Sequence, residues 1–180
     1  MSDNSTLTRS MHDLGLAAWF GGSLMGAVGV NGATAQAKDP QERTRLSSLG
    51  WARWTPVQVA AVATHAIGSI GLISANSKRV ATDPGSAVNT KVKLVLTIAA
   101  AGVTLYSGVL GAKVKAMQDE GAQGATEPAA DADPALASAQ RQLKALQWAI
   151  PGLTGVLVVL GAQQGEQQRG VRGLLDNLHR

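Results

Sequence analysis

Charge is absent from four long stretches of this chain, and most of what the pattern says follows from where they lie. No Asp, Glu, Lys or Arg occurs in residues 14–37 or 54–77, 24 positions each. The same holds for 94–112, 19 positions, and for 145–165, 21 positions. A bilayer core of about 30 Å takes about 20 helical residues to cross. Each stretch is too long for a barrel strand and lacks period-2 alternation, so helices are expected. The pattern predicts an all-α fold, a four-transmembrane-helix bundle forming a single membrane domain over residues 1–180.

The segments between the stretches are polar. Residues 119–139 are rich in Ala and Gly, carry five acidic residues and include Pro128 and Pro134. With little to bury, this segment is expected to be an acidic flexible loop between helices 3 and 4. In the tail, Val171, Leu174, Leu175 and Leu178 fall at i, i+3, i+4 and i+7. That spacing predicts an interfacial helix over 168–179. Arg9, the apolar start of the first stretch and Ala35-Gln36-Ala37 together resemble a signal peptide. Asp13 abutting that apolar stretch argues for a first helix that is kept.

Composition changes the picture only a little. The chain has 180 residues, a net charge of +4 and no cysteine. Disulfides, thiolate metal sites, iron–sulfur clusters and cysteine nucleophiles are therefore excluded. Mean hydropathy is only +0.06, because polar loops dilute the apolar stretches. The basic residues sit between those stretches, which suits lipid headgroups and gives no nucleic-acid groove. With four crossings, each side of the membrane receives eight Lys and Arg. The positive-inside rule is then silent. The α-amino group and the basic 78–93 segment lean toward cytoplasmic termini in a cell inner membrane.

Small residues recur at helical spacing in every stretch. Gly22 and Gly26 are four apart, as are Ala60, Thr64 and Gly68, then Ala100, Thr104, Gly108 and Ala112, and finally Gly161 and Gly165. In lipid, such faces let helices approach closely. They serve packing within the chain, a membrane-protein partner, or a homo-oligomer. Trp51, Trp54 and Trp148 lie near the starts of stretches two and four, where headgroup anchoring is expected. Trp19 and Tyr106 are expected to pack inside. Pro151 is expected at the start of the fourth helix, where its missing donor costs least.

Few residues are equipped for chemistry. His65 stands at the middle of stretch two, and an ionisable group at membrane depth is a functional candidate. It is the one candidate cofactor-binding residue, for haem, a quinone or a proton. The alternative is a neutral imidazole bonded within the bundle. His12 is expected about 16 Å away along the membrane normal, too far to share an iron with His65. His12-Asp13 resembles a catalytic pair, but neighbours on a helix diverge by about 100°. Asn31, Gln163 and Gln164 lie near stretch ends, where they can face water, and are expected to be structural. No catalytic residue, no metal site and no bound cofactor are expected.

The segment His12-Asp13-Leu14-Gly15-Leu16-Ala17-Ala18-Trp19-Phe20-Gly21-Gly22 resembles the first helix of small four-helix bacterial membrane proteins, including copper-resistance D-like proteins and uncharacterised four-span relatives. Gln147-Trp148-Ala149-Ile150-Pro151-Gly152 and the Gly-Glu-Gln-Gln-Arg at 165–169 are similar to uncharacterised actinobacterial proteins of this size. The resemblance implies a four-span membrane protein and transfers no catalytic residue. It carries no copper role, because no Met/His cluster accompanies His12. The function expected is a non-enzymatic accessory or assembly partner of a larger membrane complex. The alternative is a redox or small-molecule binder using His65, with an ion or metabolite pathway third.

Overall fold

Four rods make up the computed structural model, which describes residues 3–77, 81 and 84–178. The first is α1 (Asp3–Met25), continued by a π-helical segment (Gly26–Val30) and by α2 (Asn31–Thr34). The others are α3 (Pro40–Ala75), α4 (Pro84–Ala116) and α5 (Pro134–Leu178). All four are long and apolar enough to cross a membrane, the make-up of a multi-pass membrane protein. Among the described residues there is no strand, only an isolated bridge between Ala122 and Pro128.

Every rod begins well before its charge-free stretch, because helices start at caps and not at charges. Asp39 caps α3, its carboxylate accepting from the Gln41 N–H at 2.9 Å, with Pro40 entering the first turn. The helix therefore begins fourteen residues before Trp54. Asp133 caps α5 in the same way, accepting from the N–H groups of Ala135 and Leu136, with Pro134 behind it. Pro151 consequently lies well inside α5 and not near its start. Its missing N–H leaves the Gln147 carbonyl without its usual helical partner. α5 runs unbroken to Leu178. The side chains of the amphipathic face expected over 168–179, and residues 179–180, lie outside the described residues.

α1 lies antiparallel along α3, and α4 lies antiparallel along α5. Leu110 and Val114 of α4 pack on Leu136, Ala139 and Leu143 of α5. A second core gathers Trp19, Ala61, Ala100 and Ile150, one from each rod.

The connection between α4 and α5 is acidic as expected, and much of it is folded. A 3-10 turn (Gln118–Glu120) leads into Gly121, whose φ of +74° falls in the region that glycine tolerates. The start of α3 then ties the chain down. The Thr44 hydroxyl donates to the Gln118 carbonyl at 2.7 Å, and Arg43 donates to the Gln123 carbonyl at 2.9 Å and to the Ala122 carbonyl at 3.4 Å. Ala122, Ala125 and Thr126 are buried beneath these contacts. Lys144 of α5 pairs with Glu127 at 3.1 Å. Burial alone would push the Glu127 carboxyl up, but the Lys144 hydrogen bond and charge and the Thr126 donors outweigh it. The net shift is below the ordinary 4.5. Composition hid this order because the stabilising partners come from α3 and α5.

Candidate functional site: a histidine pair at the α1–α3 seam

Glycine sets the closeness of α1 and α3. A side chain at Gly15 would run into the backbone of Ala61 and His65, and one at Gly68 would run into the backbone of Thr8 and His12. Farther along, Gly22 and Gly26 lie beneath the rings of Trp54 and Trp51. The two helices thus touch backbone to backbone at one end and through tryptophan-on-glycine contacts toward the other.

This register staggers the charge-free stretches. Gly15, at the start of the first, meets Ala61 and His65 in the middle of the second. Between Asp13 on α1 and Arg53 on α3 the helices share about ten charge-free residues, about 15 Å of helix. Arg53 is exposed, and its long stem can carry its guanidinium outward along the helix.

The stagger overturns the expected separation of His12 and His65. Their ring centroids are 4.5 Å apart, with planes inclined at 43°. Depth had been counted from the ends of charge-free stretches, and α3 starts far before its own. The His65 ring Nδ1 lies 3.1 Å from the His12 carbonyl oxygen. Its Nε2 is 3.5 Å from the Ser69 hydroxyl oxygen, which donates at 2.8 Å to the His65 carbonyl. His65 is buried, and Trp19 stands edge-on to it at 6.1 Å. His12-Asp13 is also closer than helix geometry suggested. The His12 Nδ1 lies 2.7 Å from the Asp13 carboxylate.

Chemically, the pair offers bases without a nucleophile. Ser69 has given its one proton to a carbonyl. The tilted contact between the rings leaves no gap for a porphyrin between them. No group of three or more His, Cys, Asp or Glu suited to a metal ion occurs among the described residues.

The aromatic residues divide. Trp19 packs as expected, fully buried, its indole N–H donating to the Thr104 hydroxyl at 3.1 Å. Tyr106 does not: its ring is 47 % exposed and its hydroxyl donates to Gln142 at 2.7 Å. Trp148 is exposed, compatible with an anchor, whereas Trp51 and Trp54 are taken up by the seam. Asn31 has the structural role expected, but inside the bundle and not at water. It follows the π-helical segment, accepts from the Trp51 indole N–H at 2.9 Å and donates to the Gln147 amide oxygen at 2.6 Å. This relay links α2, α3 and α5, and π-helical turns often mark functional places. The signal in the sequence was the pairing of an amide with tryptophan at the far ends of two stretches.

The small-residue faces divide too. Gly15, Gly22, Gly26 and Gly68 are covered, and α3 uses Ala61, His65 and Gly68 where Ala60, Thr64 and Gly68 were expected. Gly102, Gly108 and Gly111 of α4 have no neighbour within 4 Å, and neither does Gly161 of α5. No protein-family model, no curated protein and no solved structure matches this chain.

Proposed function

We propose that this is a non-enzymatic protein of the cell inner membrane, with cytoplasmic termini, that serves as an accessory or assembly partner of a larger membrane complex. One observation carries the reading: Ala100 and Thr104 of the expected stripe are taken up by the chain's own core, but the side of α4 that bears Gly102 is left open by the described residues. Only 11 % of its most apolar window is buried, against 22–28 % for the other three rods. Val95, Ile98, Leu105 and Val109 are all more than 60 % exposed, and Gly102 lies on their face of the helix with open space above it and Gly108 at its flank. In lipid, small residues between larger ones favour close helix contact, since the bilayer offers no hydrophobic drive of its own. The tilted contact of His65 with His12 and its bond to a backbone carbonyl weigh against the haem or quinone alternative.

The test is a photo-crosslinking residue at position 105, followed by purification in mild detergent and mass spectrometry of the adduct. A membrane-protein adduct that Gly108→Leu abolishes is the expected outcome. Lipid-only adducts, or a protein adduct that survives Gly102→Leu and Gly108→Leu together, would defeat the proposal. Reporter fusions after residues 45, 85, 128 and 180 test the topology. Those at 85 and 180 should share one side, with 45 and 128 on the other.

A further inference from the structure

We propose that His12 and His65 form a two-imidazole site for a divalent first-row transition ion of the zinc class, bound through the Nε2 atom of each ring. The hydrogen bonds at the other ring nitrogens point to this chemistry. A backbone carbonyl only accepts, so the Nδ1 of His65, 3.1 Å from the His12 carbonyl, carries the proton. A carboxylate likewise only accepts, so the Nδ1 of His12, 2.7 Å from Asp13, carries its proton. In the neutral rings both Nε2 atoms then hold lone pairs. The Ser69 hydroxyl oxygen lies 3.5 Å from the Nε2 of His65, and its proton goes to the His65 carbonyl. His65 is 1 % exposed, so that lone pair is out of reach of bulk water. Metal-bound histidines characteristically donate the other ring N–H to a carboxylate or a backbone carbonyl, which fixes the tautomer. This pair shows one arrangement of each kind.

The spacing and rigidity fit as well. An imidazole centre lies about 3.2 Å from an ion bound at about 2.0–2.1 Å, so two rings with centres 4.5 Å apart can share one ion on adjacent positions. The backbones of both residues are held by reciprocal glycines, Gly15 of α1 against His65 and Gly68 of α3 against His12. Imidazole nitrogen suits zinc, copper, iron and nickel, and the absence of cysteine removes thiolate competition. Two protein ligands leave the ion's other positions to water, which can reach it only at the His12 end, where the side chain is 14 % exposed. The Asp13 charge favours a cation at the site, and its bond to His12 orients the ring.

The experiment is a titration of the full chain, without a polyhistidine tag, in mild detergent with Zn2+ by calorimetry and with Co2+ by visible absorption. One ion per chain is expected. His12→Gln and His65→Gln should each weaken binding about tenfold or more, and Asp13→Asn should weaken it about tenfold through loss of ring orientation. His179→Gln should leave it unchanged. Absence of one-to-one binding, binding that survives in the His12→Gln/His65→Gln double variant, or binding lost with His179→Gln would overturn the proposal. A second measurement needs no substitution. Saturating Zn2+ should protect His12 from carbethoxylation while His179 stays reactive, and equal labelling of His12 with and without the ion would also overturn it.

Discussion

The α1–α3 seam and the outer face of α4 carry the same small-residue signature and end in opposite environments. At the seam, Gly15 and Gly68 are pressed against the partner backbone, and Gly22 and Gly26 lie under tryptophan rings. On α4, Gly102 faces open space beside exposed Val95, Ile98, Leu105 and Val109, and Gly108 stands open at the flank of that face. Glycine spacing therefore marks a surface able to be approached closely and does not say by what. The difference lies in the opposing residue. α3 presents Ala61 and the backbone of His65 to α1, while among the described residues nothing lies within 4 Å of a side chain placed at Gly102, Gly108 or Gly111.

Substitutions at the seam should have the largest effect. Gly15→Leu would drive a side chain into the backbone of Ala61 and His65, which cannot move without parting the helices. Overpacking typically costs about 1–3 kcal/mol and more where backbone is the obstacle, so loss of the folded species in detergent is expected. A chain that melts at the wild-type temperature would show that the seam is loose. Asn31→Ala comes next. It strands the Trp51 indole N–H and the Gln147 amide, at about 1–3 kcal/mol for each buried group left unpaired. The readout is a lower melting temperature with unchanged helix content.

His65→Gln should be mild, about 0.6 kcal/mol, because an amide can still donate to the His12 carbonyl. The purified wild-type protein is expected to be colourless, and a visible band lost in this variant would revive the haem reading.

The segment that follows α4 adds a pH-dependent hold. Glu127 titrates below the ordinary 4.5 in the folded chain, so its ionised form stabilises the fold at neutral pH. That contribution is lost as pH falls from about 4.5 through the folded value. Limited proteolysis should then cut residues 119–133 faster at acid pH in wild type, with no such change in Glu127→Gln.

Gly108→Leu should barely alter the isolated chain, within about 0.5 kcal/mol, since nothing opposes it. Its effect should appear as loss of the partner adduct. Destabilisation of the isolated chain comparable to that of Gly15→Leu would erase the contrast between the two faces.

The sequence by itself determined the number of rods, their helical nature and their approximate places. These follow from local quantities: where charge is missing, and which residues sit at helical spacing. It also singled out His65 as a buried ionisable group and Trp19 as a packed ring, because both lie deep in apolar stretches. Tertiary structure alone decided the helix starts at Pro40 and Pro134, which caps and docked partners fix and which charge does not mark. It decided the stagger of α1 against α3, and with it the meeting of His12 and His65. Register between helices depends on which glycine finds which backbone, an interaction between residues some fifty positions apart. It decided that Trp51 and Trp54 cover glycines, that Asn31 joins three helices, and that the acidic segment is tied to Arg43 and Thr44. Each of these outcomes rests on a partner distant in the chain, and hydropathy along one strand of sequence holds no information about that partner.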